Sequence, residues 1–217
     1  EESARSRINQ LFESQFDEEG INAEGAIGYH LNNYHWWRES LGIVFGDHSS
    51  HLGMLSLLSE TGVELAHASQ PDGYLVPIGN TGKVKLTGIS HPASEFVTTG
   101  GAQGEPPEEL IKVYKSGYIF GRSGWGEQER PSTDETFFSL LFGKNDRVHG
   151  HVDSGSLTFF ANGKPWIVDP GKYSYDSGPL RSHFNQRSSH NVITIDGLAY
   201  DKAVPVELVR SEVTKEY

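Results

Sequence analysis

Three short stretches concentrate the residue types that do chemistry: His149-Gly150-His151-Val152-Asp153, Ile167-Val168-Asp169-Pro170-Gly171 and Ser188-Ser189-His190-Asn191. Histidines at i and i+2 of a strand point to one face, so His149 and His151 are expected to share an environment. Zinc accepts histidine nitrogen and carboxylate oxygen, often from three protein ligands, and His151, Asp169 and His190 supply that donor set. The same letters also spell H-x-D…H through His151, Asp153 and His190, the two-histidine, one-carboxylate triad of non-haem iron oxygenases. Which aspartate binds separates two enzyme classes. A 2-oxoglutarate oxygenase also calls for a basic residue shortly after the distal histidine, where Tyr200 stands with Lys202 close by. A plain reading competes with both, because histidines at strand ends often only hydrogen-bond to backbone.

A second stretch, Gly20 to Trp37, reads GINAEGAIGYHLNNYHWW. Tyr29 opens a helix there, with Asn32, Asn33 and Trp36 on neighbouring turns. By periodicity alone the tyrosine is an amphipathic core residue and the two asparagines are helix-surface amides. His30, His35, His48, His51, His67 and His91 are scattered over helices and loops and read as structural.

The elements that must position these residues divide the chain in two. Ile8, Leu11, Phe12 and Phe16 fall at helical spacing over residues 5–16, ended by the turn Asp17-Glu18-Glu19-Gly20. Further helices are expected over about 29–45 and 49–68, the latter with Leu52, Leu55, Leu58 and Leu65 as its stripe. After Gln70-Pro71-Asp72-Gly73 the character turns to glycine, proline and threonine, and Gly100-Gly101 with Gly104-Glu105-Pro106-Pro107 reads as a linker. Strands are expected at Ile111–Tyr114, Tyr118–Arg122, Thr136–Phe142, Leu157–Ala161, Trp166–Val168, Val192–Ile195 and Val206–Val209. Asn162-Gly163 between two of them is a hairpin signal, and Asp196-Gly197 ends another. The fold class is therefore α+β, a helical part over 1–108 and an antiparallel β part over 109–217, and the chain is expected to be truncated at both ends.

Composition narrows the function. The 217 residues suffice for a sizeable core without cross-links, and 25 glycines favour many turns. Lys and Arg number 18 against 29 Asp and Glu, a net charge of −11, which argues against a nucleic-acid binder held by phosphate contacts. From Lys144 to His190 the balance inverts, with six cations and four anions, so an anionic substrate would be drawn there. No apolar run is long enough for a membrane span. Cysteine is absent, which removes disulfides and thiolate sites.

The sequence resembles the heparinase II/III-like polysaccharide lyases through EGAIGYH (24–30), PDGYLVPIGNT (71–81), HGHVDSGSL (149–157), VDPGKY (168–173) and SSHNV (189–193), in that order. Their joint occurrence carries the resemblance; each block alone would be weak. It implies the C-terminal part of an (α/α) toroid followed by an antiparallel β-sandwich, with the active site in the cleft between them. It also implies β-elimination on a uronic acid within an anionic polysaccharide or oligosaccharide, and a periplasmic or secreted location.

Carried over residue by residue, Tyr29 matches the catalytic tyrosine and His149 the catalytic histidine. His151, Asp169 and His190 match the ligands of zinc-containing members, where the ion is expected to be structural. In the reaction a base removes the proton α to the carboxyl group and an acid protonates the departing glycosidic oxygen. The carboxylate gathers negative charge, so a cation or donor must stabilise it. The family brings that neutralising residue from a helix well upstream of the tyrosine, and 28 residues precede Tyr29 here. Either the chain is a fragment of a longer lyase that carries that residue upstream, the favoured expectation, or Asn32, Asn33 or Arg181 does the job; Asn33 and Arg181 are the expected substrate contacts. Two alternatives stand beside the lyase: a non-catalytic carbohydrate-binding or cell-envelope module on the same fold, and the iron oxygenase built on His151, Asp153 and His190.

Overall fold

The computed structural model describes residues 2–46, 51–126, 130–145 and 147–214. The expected helices form where the apolar spacing puts them. Helix α1 (Glu2–Gln15) buries Phe12, which stacks on Phe16 just beyond its end at 4.9 Å. Leu11 belongs to the same sequence stripe but faces solvent. The turn that follows is fixed by Asp17, whose Oδ1 accepts from Glu19 N and Ile21 N at 2.9 Å. Helix α2 (Ile27–Phe45) buries Ile27, Leu31, Tyr34, Leu41 and Phe45, an apolar face at helical period. Helix α3 (Leu52–His67) buries Leu58 and Leu65 and leaves Leu52 exposed. The expected start of this helix at Ser49, and His48, lie outside the described residues.

Helix α4 (Pro92–Thr99) occupies a region expected to be loop. Its punctuation is present in the sequence: Pro92 opens it, His91 Nδ1 accepts from Ala93 N at 3.1 Å, and Gly100 closes it at φ 62°. At eight residues it is too short for periodicity to outweigh the surrounding glycines and prolines.

The sheet is a five-stranded antiparallel meander in chain order, β1 (Ile111–Tyr114), β2 (Tyr118–Arg122), β3 (Phe137–Leu141), β4 (Leu157–Ala161) and β5 (Lys164–Ile167). Every residue of β2 is buried, β3 alternates, and β5 is an exposed edge. Asn162 and Gly163 both take positive φ (52° and 74°), which a two-residue hairpin of this hand requires. The strand after them therefore starts at Lys164, two residues earlier than expected. The strands expected at 192–195 and 206–209 do not form. Ile193 and Ile195 are exposed, and Val206 makes only an isolated bridge to Gly143. Apolar spacing there has no neighbouring strand among the described residues to complete a ladder. A short helix, α5 (Pro179–Phe184), stands in the connection after β5.

Helices and sheet share one core: Phe12, Ile27, Leu31, Tyr34 and Leu65 pack in the same cluster as Tyr118, Phe120, Phe137 and Phe160. Each fully buried phenylalanine contributes about 2 kcal/mol. The joint is reinforced by Arg122 at the end of β2. Its Nη2 donates to the carbonyls of Ala66, His67 and Ser69 at 3.3, 3.0 and 2.9 Å, and its guanidinium lies 3.5 Å from the Trp125 ring. The last carbonyls of α3, which the helix cannot satisfy itself, thus find their donor on the sheet. Burial lowers the Arg122 pKa to about 9, partly offset by Glu135, and the group stays charged at neutral pH.

Candidate active site and metal centre

Three backbone segments meet where α2 begins. His149 N donates to Glu24 O at 2.7 Å, and Asn80 N donates to His149 O at 2.8 Å. Gly79 makes this approach possible: at φ 57°, a Cβ there would stand 2.6 Å from Gly25 O and 2.7 Å from His149 O. Gly25 is equally confined, since its Cβ would meet Arg147 Cβ at 2.4 Å. Arg147 in turn donates to Ser116 O and lies 4.9 Å from the Tyr118 ring, tying the loop to the β1–β2 turn. Gly28 N, unpaired within the first turn of α2, donates to Thr81 Oγ1 at 2.9 Å.

This framework brings Tyr29, two residues into α2, against His149. The two rings stack with centroids 3.6 Å apart and 11° between planes. Both side chains are half-buried, so the pair is open to a ligand. Tyr29 Oη lies 2.8 Å from Tyr175 Oη, and His149 Nε2 lies 3.4 Å from Glu24 Oε2. Lys172 Nζ stands 4.2 Å and Arg181 Cζ 5.3 Å from the Tyr175 ring, while Arg181 Nη1 donates to Tyr175 O at 2.5 Å. Desolvation and the hydrogen bond with Tyr29 push the Tyr175 hydroxyl above the usual tyrosine range, so it keeps its proton. Arg181 therefore sits beside the pair. Asn33 lies one turn along α2, buried, with its amide donating to Tyr29 O at 3.0 Å and Asn22 Oδ1 at 3.3 Å. It is not the surface amide that helical spacing suggested; Asn32 is exposed instead.

His151 turns the other way. Residues 147–153 form no strand, so the expectation that His149 and His151 share a face is corrected. The chain turns through 147–150, where Gly150 N donates to Arg147 O at 3.2 Å, and His151 enters a buried group with Asp169, just past β5, and His190, just past a 3-10 turn at Arg187–Ser189. One nitrogen or oxygen from each lies within 4.8 Å of the others. His190 Nδ1 donates to Asp169 Oδ2 at 2.8 Å, and His151 Nε2 meets Asn80 Oδ1 at 3.1 Å. Those two bonds fix the tautomers and leave His190 Nε2 and His151 Nδ1 as buried nitrogens with no partner. Two imidazole lone pairs and a carboxylate, all buried, are the donor set a divalent ion such as zinc takes. The residues fit a metal. The converging carboxylate is Asp169; Asp153 is not in the group that could hold an ion.

Burial, with His190 nearby, lowers His151 to about pKa 4, keeping it neutral. For His190 burial acts downward, but the hydrogen bond and charge of Asp169 outweigh it and the pKa is raised. Asp153 is pushed up to about 7 by burial and by Asp169.

Glu24, Asn80 and Tyr175 contribute to these arrangements without having been singled out from sequence. Glu24 and Asn80 lie inside the EGAIGYH and PDGYLVPIGNT blocks, where they were legible only as motif letters. Tyr175 had no signal of its own.

The profile described as heparinase II/III-like, C-terminal, matches residues 106–212. Among curated proteins, no sequence matches the chain. Among solved structures, a heparinase III superposes with a TM-score of 0.75 at 22% identity, covering 88% of this chain and 32% of that one. Heparan sulfate lyase HepC from Pedobacter heparinus gives 0.74 at 20%, covering 88% and 32%. A second heparinase III structure gives 0.75 at 18%, covering 95% and 36%. At these identities the likeness is one of fold, and the chain spans about a third of the length of those proteins. The open antiparallel sheet with its flanking helices corresponds to part of their sandwich architecture. Residues 106–212 thus match the heparinase II/III-like C-terminal family, and the chain as a whole shares its fold with these heparinase structures.

Proposed function

We propose that the chain is the catalytic-cleft portion of a polysaccharide lyase that cleaves uronic-acid-containing glycans by β-elimination. Residues 1–108 form the helical wall and 109–217 the sheet wall. The observation that carries this reading is the Tyr29–His149 stack, two residues 120 positions apart held ring to ring at 3.6 Å on an open surface. Tyr29 takes the proton from the carbon α to the uronate carboxyl; those electrons form the new double bond as the glycosidic C–O bond breaks, and a protonated group gives its proton to the departing oxygen. Tyr175, which keeps its proton, lies 2.8 Å from Tyr29 Oη, within reach to donate to a base there. His149, as a hydrogen-bonding group, and the cations Lys172 and Arg181 stand near the site for the carboxylate charge. Asn33 acts from behind, fixing the Tyr29 carbonyl.

His151, Asp169 and His190 would hold a zinc ion whose contribution is to cross-link three loops. His151 and His149 lie two residues apart, so anchoring one restrains the other.

The test is the full-length protein with a panel of uronate polysaccharides, read by the ultraviolet absorbance of the unsaturated product. Turnover on at least one, abolished by Tyr29→Phe with glycan binding retained, supports the lyase. Binding without elimination on every member overturns it in favour of a carbohydrate-binding module.

A further inference from the structure

A groove of about 440 Å³ opens beside the site, lined among others by Tyr74, Thr81, Lys83, Pro165, Asp169 and Lys172. That volume is in the range of small-molecule sites. Its cationic wall is built by local pairing. Tyr74 and Lys85 form an antiparallel bridge, with Leu75 N donating to Val84 O at 2.9 Å. Lys83 lies at the bend just before this bridge. Both ammonium groups stand 4.9 Å from the Tyr74 ring centroid, gathered over one aromatic.

The carboxylates nearby are already engaged. Asp72 Oδ1 accepts from Tyr74 N at 3.2 Å, and Asp169 is paired with His190. Lys83 and Lys172 on the lining, with Lys85 beside them over the Tyr74 ring, set three ammonium groups against the two carboxylates of Asp72 and Asp169, in a protein whose net charge is −11. Lys172 joins the groove to the catalytic pair. It lines the groove, its backbone N donates to Thr81 O at 3.0 Å, and its Nζ lies 4.2 Å from the ring of Tyr175, the residue bonded to Tyr29.

We propose that this groove is a subsite for an anionic sugar, carboxylated or sulfated, in a glycan whose neighbouring unit lies against Tyr29 and His149. Lys83 and Lys85 contact the anion, and Tyr74 holds their ammonium groups in register. The assignment rests on the lyase reading of the Tyr29–His149 pair.

The experiment measures equilibrium binding of uronate disaccharides and hexasaccharides, each with and without sulfate, to the full-length protein. K83E/K85E is expected to weaken hexasaccharide binding about tenfold, the sum of two exposed charge contacts, while disaccharide affinity and melting temperature stay unchanged. K83R/K85R should retain wild-type affinity. A loss confined to sulfated chains assigns the sulfate, and a loss on both assigns the carboxylate. Unchanged hexasaccharide affinity in K83E/K85E, or an equal loss with disaccharide, overturns the subsite. Because binding is read without turnover, long chains held through the lysines but never cleaved refute the lyase reading alone. Cleavage indifferent to both lysines refutes the groove alone.

Discussion

His149 and His151 are separated by one glycine, yet the first stacks on a half-buried tyrosine and the second is buried with Asp169 and His190. The first keeps access to a ligand, with Glu24 at its Nε2; the second is neutral, desolvated and aimed at other imidazole and carboxylate groups. Identical side chains two residues apart thus acquire different surroundings across the turn at 147–150. What separates the half-buried histidine from the fully buried one here is packing and partner, not residue type.

The largest expected effect is on the open side. Tyr29→Phe or His149→Ala in the full-length enzyme should lower elimination about 10³-fold with little change in melting temperature. If either variant unfolds the protein instead, the contrast with the buried pocket collapses. On the buried side the signs reverse. His190→Ala leaves Asp169 charged without its partner and should cost about 3 kcal/mol in urea denaturation, with loss of any bound metal. A chelator should lower the melting temperature of the wild type and not that of His190→Ala.

A third histidine calibrates both. His67 is fully buried at the helix–sheet joint, and burial, with the nearby Arg122, lowers its pKa from 6.5 to about 3. The unfolded chain therefore binds the proton first as the pH drops. Stability from this group is complete above pH 6.5 and is lost as pH falls towards 3, about 2 kcal/mol by pH 5. His67→Gln should flatten the melting-temperature profile over that interval. An unchanged slope would assign the acid sensitivity elsewhere. The smallest effect is expected for Tyr175→Phe, which removes one hydroxyl contact to Tyr29 and should reduce turnover about tenfold without affecting stability. A loss as large as that of Tyr29→Phe would make Tyr175 an equal partner in the proton transfers.

Much of the scaffold was legible because its signals are local. Phe12, Leu31 and Leu65 sit at helical spacing in long segments, and Asn162-Gly163 names its own turn. Helix α4 was missed because eight residues are too few for a period to emerge, although Pro92 and Gly100 marked its ends. The segment from Val192 to Val209 has strand composition, but strand formation depends on a partner that composition does not supply. The candidate site divides in the same way. His151, Asp169 and His190 were grouped by donor chemistry, and their convergence did not need the strand geometry assumed for them. Nothing in spacing connects Tyr29 with His149; that pairing came from the resemblance alone. Tyr175 and Lys83 depend on loops folding back, which no periodicity reports.

The cleft is joined main chain to main chain, through Glu24 to His149 and Asn80 to His149, with Gly79 and Gly25 at the points of contact. Such a seam is indifferent to most of the side chains that surround it. Substitution can accumulate on either bank without moving the tyrosine relative to the histidine, provided the glycines stay. The ring stack is thereby set by backbone geometry, and the side chains around it are free to vary independently of it.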